Sequence, residues 1–322
     1  MVQHILTASQ FKDRELLGEI FSRANYFQEI HLLPKNDQVR KDARKKIRET
    51  LDDQSVGIFF YEPSTRTGSS FQRAVHNLGG EVIKSENAGQ FSSAIKGESI
   101  EDSIKTMEKY AEIIILRHPE IGSASRAAAV SQVPIINAGD GAGEHPTQAL
   151  LDLYTIQREI GTFDNLKIAL VGDLLNGRTI HSLTQLLEVA QNTELFLVAP
   201  DPLQLPEKYR KMLQAKNIKF RETDSLAEVL PHADVVYMTR IQKERFGTDT
   251  ALYEQVKNSF ILGPEEVNKM QKDAILMHPL PRVNEISPEV DKLPQARYFD
   301  QVENGVYIRM SLLEHLAQAA TT

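Results

Sequence analysis

No cysteine occurs among the 322 residues of the chain. That absence excludes disulfides, a thiolate nucleophile, iron–sulfur clusters and cysteine-based zinc sites, and it accords with a reducing, cytoplasmic setting. Positive charge is also scarce: 37 Lys and Arg stand against 44 Asp and Glu, a net charge of −7. A dedicated DNA or RNA binder needs a basic face for the phosphate backbone, so no nucleic acid partner is expected. A small anion asks only for a local cluster of cations. Long apolar runs are missing too. The longest are pieces such as IIIL at 113–116, far short of the ~20 residues that cross a bilayer, so no membrane role is expected. The stretch MVQHILTASQFKD lacks a basic n-region and a long apolar core, and no signal peptide is expected.

What is present is a globular composition, 41% hydrophobic and 25% charged, able to bury real cores. At about 150 residues per domain the length suggests two domains. Apolar, β-rich segments recur at 55–61, 112–116 and 133–137, and again at 167–173, 194–200, 234–239 and 274–279. Helical patterns lie between them. In TGSSFQRAVHNLGG, Phe71, Val75 and Leu78 fall at i, i+4 and i+7, and Gly79-Gly80 is a stop signal. PTQALLDLYTIQREIG is a strong helix that begins at Pro146 and ends at Gly161; it reads as the bridge between two series of strands. Leu17, Ile20, Phe21 and Ala24 make one terminal apolar helix face, and Val306, Met310, Leu313 and Ala317 another. Strands alternating with helices predict parallel sheets. The expected class is therefore α/β, with two doubly wound parallel-sheet domains joined by interdomain helices.

Such sheets take ligands at the carboxyl ends of their strands, which directs attention to the loops. EPSTRTGSSF offers the hydroxyls of Ser64, Thr65 and Thr67, the Arg66 guanidinium and the free amides of a helix start, a recipe for holding phosphate; a plain cap with an exposed arginine fits equally. In GDGAGEHPTQ, His145 and Gln148 stand at the start of the bridging helix, where a neutral imidazole that donates to a carbonyl is favoured, or where a histidine merely packs. GDLLNGRTIHS places Arg178 at a helix start but lacks G-x-G-x-x-G spacing, which argues against a dinucleotide. MTRIQKER gathers Arg240, Lys243 and Arg245 after a strand, either a carboxylate clamp or a solvated charge run. Leu280 between two prolines in MHPLPRVNEI offers rigid carbonyls to an amine, or simply makes a turn. Arg117 lies just past another strand end, and NAGQFSSAIKGES reads as a polar loop carrying Lys96. No metal-ligand set is visible, and neither a metal nor a cofactor is expected.

Taken in order, FYEPSTRTGSSF, LRHP, GDGAGEHPTQALLDLYT, VGDLLNGRTIHS, MTRIQKER and HPLPRV resemble the catalytic chains of the aspartate carbamoyltransferase family, from about residue 5 to about residue 318. STRT and HPTQ are shared by transcarbamoylases generally, whereas TRIQKER and HPLPR belong to the aspartate branch. The resemblance implies carbamoyl transfer from carbamoyl phosphate to L-aspartate, early in pyrimidine synthesis. It implies a carbamoyl phosphate-binding domain at 1–146 plus 304–322 and an aspartate-binding domain at 147–303. Ser64, Thr65, Arg66, Thr67 and Arg117 are implied phosphate ligands. His145, with Arg66 and Thr67, is implied to polarise the carbamoyl oxygen, and Gln148 to hold the carbamoyl amine. Arg178, Arg240 and Gln242 are implied to grip the aspartate carboxylates, with Leu280 and Pro281 presenting carbonyls. Glu62 is implied to pair with Arg178 and Arg245 in support. The family assembles as a homotrimer in which Ser92 and Lys96 reach a neighbour's site, and Lys96 is counted with the catalytic set. A regulatory-chain or dihydroorotase partner stays open. Relatives often carry arginine where Gly68 stands, and some carry two adjacent lysines where Ile95 precedes Lys96.

Three other readings compete with this one. Ornithine carbamoyltransferases typically carry the cysteine of an HCLP motif, absent here, and the Arg240–Lys243–Arg245 cluster would repel a cationic amine substrate. A non-catalytic scaffold of this fold usually loses site residues, and every matching position is filled. A dehydrogenase would rest on the glycine turn at 172–177 alone.

Overall fold

The structure, a computed structural model, describes residues 2–86, 97–247 and 250–321. The chain divides into two compact units, Met1–Leu151 with Glu303–Thr322, and Asp152–Val302. Both divisions fall inside helices, Pro146–Ile160 and Tyr298–Thr321.

The first unit is built on four parallel strands: β1 (Ser55–Phe60), β2 (Glu81–Glu86), β3 (Ile113–His118) and β4 (Ile135–Asp140), in the order β2-β1-β3-β4. β1, β3 and β4 are almost wholly buried. Continuous apolar runs, rather than alternating ones, are what a parallel sheet covered on both faces requires. Phe59, Ile104, Ile114, Leu116, Ala127 and Ile135 pack in its core. The terminal helices are tied together by side chains: Arg23 forms a bidentate pair with Glu314, both bonds 2.6 Å, and the Ser311 hydroxyl donates to the Ile20 carbonyl. Their predicted faces are buried, except that Val306 is half-exposed.

Helix Thr65–Leu78 stops where expected. Gly79 has φ 94°, and the amide of Gly80 returns to the Val75 carbonyl at 3.1 Å. A Cβ at Gly79 would lie 1.8 Å from the Arg48 carbonyl oxygen. Gly79→Ala therefore combines left-handed strain with a backbone clash. It is expected to destabilise the unit by more than the ~1–2 kcal/mol of the strain alone, read as a lowered melting temperature; an unchanged melt would refute the packing described here.

The second unit carries five parallel strands: β5 (Lys167–Val171), β6 (Glu194–Val198), β7 (Lys219–Thr223), β8 (Val235–Met238) and β9 (Ile275–Met277), ordered β7-β6-β5-β8-β9. Ala169, Val171, Val198, Val236, Met238 and Leu276 belong to its core cluster. The sequence reading placed no strand at β2 or β7. Both are edge strands, and EVIKSE and KFRET are too polar for an apolar run to mark them; β7 is largely exposed along its length.

Candidate active site

In each unit the strand order reverses once. The chain steps outward from β1 to β2 and then returns to the other side at β3; likewise it steps from β5 to β6 and β7 and returns at β8. Open parallel sheets bind ligands outside the carboxyl ends of the strands at such a point. The predicted residues that the structure describes stand at or just past the carboxyl ends of strands in the two sheets, some at these points and some beside the edge strands β4 and β9.

In the first unit, Phe60 of β1 pairs with Arg117 of β3. Ser64 caps helix Thr65–Leu78, but through its carbonyl, which accepts from the Gly68 amide at 3.0 Å; its hydroxyl makes no capping bond. Thr67 is buried in the first turn, while Thr65 and Arg66 are exposed. The first turn of any helix presents amides without intrahelical acceptors. Arg117 stands where the pairing of β3 with β4 shifts register, between Leu116 and His118, the kind of irregularity that re-aims a side chain. It is only 9% exposed. Its Nη1 donates to the Ala138 carbonyl at 3.2 Å, and its Nη2 lies 3.2 Å from Glu62 Oε2. Glu62 thus meets an arginine within its own unit, Arg117, which the sequence reading had not paired with it.

His145 is 3% exposed and directly precedes Pro146, the first helical residue. Its carbonyl accepts from the amides of Gln148 and Ala149 at 3.0 and 3.2 Å, and its Nδ1 lies 3.5 Å from the Thr147 hydroxyl. Asp140 shapes this loop: its carboxylate accepts from the amides of Glu144 at 2.6 Å and Gly122 at 3.0 Å. Sequence reasoning passed over Asp140. Ser64–Thr67 and the His145–Gln148 turn therefore follow β1 and β4, and Arg117 is the next-to-last residue of β3, the strand between them. Ser92 and Lys96 lie outside the described residues.

In the second unit, the loops after β5 and β8 approach closely. Gly172 has φ 114°, and a Cβ there would lie 2.3 Å from the Thr239 carbonyl oxygen. Asp173, fully buried, joins the two loops. Its carboxylate accepts from the Asn176 amide at 2.9 Å and from the backbone amide of Gln242. Burial pushes its pKa up, while bonds from Asn176 and Gln242 and the charge of Arg245 pull the other way without cancelling the rise. Arg178, the first residue of helix Arg178–Leu186, and Arg240 are both half-buried, and Gln242 follows Arg240 by two residues. Arg245 is exposed on a short helical turn, Lys243–Arg245. Asp173 was not singled out in the sequence, where its neighbours in GDLLNGRT drew notice for glycine and arginine. Asp173→Asn keeps the shape but weakens the acceptor. It is expected to raise the KM for the ligand held by this loop about tenfold. Because the native pKa is raised, that KM should climb on acidification at a higher pH than an ordinary aspartate would give, and the Asn variant should lose this dependence. Superimposable pH profiles would remove Asp173 from this part.

After β9, Leu280 adopts φ 54° ahead of a cis peptide to Pro281. The Leu280 amide donates to His278 Nδ1 at 2.7 Å, so Nε2 carries the proton and donates to Glu285 Oε1 at 2.7 Å. Glu285 Oε2 accepts from the amides of Val283 and Asn284, each at 3.1 Å. Burial works to raise the Glu285 pKa, but the bonds from His278 and the backbone outweigh it and hold the carboxyl below its ordinary value. The His278 amide donates to Gln301 Oε1, Gln301 Nε2 donates to Asp152, and the Tyr237 hydroxyl donates to the same carboxylate at 2.7 Å. The loop's stiffness, read from its prolines, rests on these buried polar groups as well.

Among the described residues no group of three or more His, Asp or Glu is placed to hold a metal, and no helix is long and apolar enough to cross a membrane.

By fold and by these loops, the chain is a two-unit parallel α/β protein with cationic strand-end loops suited to small anions. Residues 3–158 match the family described as aspartate/ornithine carbamoyltransferase, carbamoyl-P binding domain, and residues 164–316 match its Asp/Orn binding domain. The chain belongs to the aspartate/ornithine carbamoyltransferase family. It is 47% identical to the chloroplastic aspartate carbamoyltransferase of rice over 312 residues, covering 97% of this chain and 84% of the relative. The catalytic subunit of Methanocaldococcus jannaschii aspartate transcarbamoylase superposes with a TM-score of 0.88 at 45% identity, covering 99% of both chains. The Trypanosoma cruzi enzyme, determined with carbamoyl phosphate and aspartate, gives 0.86 at 38% identity, covering 97% of this chain and 96% of that one.

Proposed function

We propose that the chain transfers the carbamoyl group of carbamoyl phosphate to the amine of L-aspartate, giving N-carbamoyl-L-aspartate and phosphate, in de novo pyrimidine biosynthesis. One observation carries the reading: near full-length similarity to aspartate carbamoyltransferases, with the motif residues standing at the carboxyl ends of β1, β3 and β4 and of β5, β8 and β9. The amine attacks a carbonyl already activated by its phosphate leaving group. Positioning, and donors for the oxyanion of the tetrahedral intermediate, are what the protein must add.

In this reading Ser64, Thr65, Arg66, Thr67 and Arg117 hold the phosphate, and Gln148 holds the carbamoyl amine. His145 donates to the carbamoyl oxygen together with Arg66 and Thr67. Arg178, Arg240 and Gln242 take the aspartate carboxylates. The carbonyls of Leu280 and Pro281 orient the attacking amine, and Glu62 and Arg245 support the arginines. The protein works as a cytoplasmic homotrimer whose subunits lend Ser92 and Lys96 to one another. Aspartate is favoured over ornithine because the loop after β8 offers Arg240, Lys243 and Arg245, which attract a second carboxylate and repel a second ammonium. Steady-state turnover with carbamoyl phosphate and either amine tests this directly. Release of phosphate with L-aspartate and not with L-ornithine is expected; the opposite preference, or no turnover with either, overturns it.

A further inference from the structure

Ahead of the first strand, helix Gln38–Arg48 concentrates positive charge. Residues 35–48 hold seven cations and two acids within a chain of net charge −7. Lys35, Arg40, Lys41, Arg44, Lys45 and Arg48 line an open surface pocket of about 510 Å³. Several surface cations elsewhere have carboxylate partners, as in Lys211–Glu207, Arg221–Glu228 and Arg126–Glu101. Here, among the described residues, Lys35, Lys41, Arg44, Lys45 and Arg48 meet no carboxylate. The two acids of the segment are engaged otherwise. Asp37 caps the helix by accepting from the Arg40 amide, and Asp42 accepts from the Gln38 side chain at 2.8 Å.

The arrangement is partly built. Arg40 is 7% exposed and its guanidinium bonds to the Leu33 carbonyl, pinning the turn that carries Lys35 against the helix. Arg40, Arg44 and Arg48 recur every fourth residue, so they form one stripe about 12 Å long, with Lys41 and Lys45 alongside. The field is felt nearby. The pKa of His31, on the preceding helix, is pushed down, first by burial and then by Arg40, with Arg73 and Arg44 adding to it and Glu303 opposing.

Holding so many like charges around one space costs free energy unless an anion joins them. Guanidinium forks in a row suit phosphoryl oxygens in a row. The lining has no aromatic or apolar side chain on which a base or sugar could pack. We propose that this pocket is a binding site for a linear polyphosphate group, recognised through its phosphates alone and distinct from the carbamoyltransferase site.

Titration calorimetry with inorganic tripolyphosphate tests the proposal. The wild-type protein should bind it, and a nucleoside triphosphate should bind no more tightly, because the lining offers a nucleoside nothing; clear preference for the nucleotide would overturn recognition by phosphates alone. Raising ionic strength from about 0.01 M to about 0.15 M, which shortens the screening length from ~30 to ~8 Å, should weaken binding at least tenfold. The exposed pair Arg44→Glu with Lys45→Glu should weaken it about a hundredfold, at about tenfold per cation, and leave carbamoyl transfer unchanged. Arg66→Ala should not affect it, and saturation with N-(phosphonacetyl)-L-aspartic acid, bound by the T. cruzi relative, should not displace it. Absence of binding, indifference to the double reversal, or loss in Arg66→Ala would each overturn the site. The double-reversal arm is independent of the proposed enzymatic activity, so its failure is distinguishable from failure of that reading.

Discussion

Replacing His145 by alanine is expected to lower kcat a hundredfold or more while the protein stays folded. The imidazole is buried at the start of helix Pro146–Ile160, and its backbone carbonyl already caps the first turn. The substitution leaves that carbonyl in place, so the loss falls on the side chain. If the imidazole donates to the carbamoyl oxygen, it acts where negative charge develops, and removing one such donor costs about 10²–10³ in rate. His145→Asn, which keeps a neutral donor on a shorter arm, should recover part of the activity. A thermal melt accompanies the kinetics, because truncating a buried ring also costs packing. Near-normal kcat in a folded Ala variant would take His145 out of the chemistry.

Arg240→Ala is expected to raise the KM for aspartate by one to two orders of magnitude, with carbamoyl phosphate affinity within about threefold of wild type. A charge-assisted contact is worth about 1.5–3 kcal/mol, or roughly ten- to a hundredfold. The asymmetry follows from placement: Arg240 belongs to the loop after β8, whereas the proposed phosphate ligands follow β1 or stand at the end of β3. Arg240→Lys should rescue only partly, since an ammonium keeps the charge and loses the bidentate fork. Equal losses for the two ligands would break the division of labour between the units.

The sequence made the strongly buried parts of this molecule legible and left the polar frame obscure. β1, β3, β5 and β8 announce themselves because a parallel sheet covered on both faces must be apolar throughout. β2 and β7 stay hidden because an edge strand pairs on one side only and can be polar. The helix stop at Gly79 was legible, since few residues other than glycine sit easily at φ 94°. Residues that carry motifs of hydroxyl, arginine or histidine could be named one by one. Their supports could not: Asp140, Asp173, Glu285 and Gln301 act through backbone amides that only the folded chain brings to them. A carboxylate that braces a loop has the same signature in sequence as one that faces water.

The His278 lock has one more implication. The carbonyls of Leu280 and Pro281 do not titrate, yet their placement depends on which imidazole nitrogen holds a proton. Nδ1 receives the Leu280 amide only while it is bare. A doubly protonated ring would turn that nitrogen from acceptor to donor and set two N–H groups against each other. Glu285, held ionised by the same network, steadies the tautomer from the far side. Backbone geometry at the proposed amine-binding loop is thus written in a single proton's position, and an isosteric ring that could not choose between its nitrogens would place those carbonyls less well.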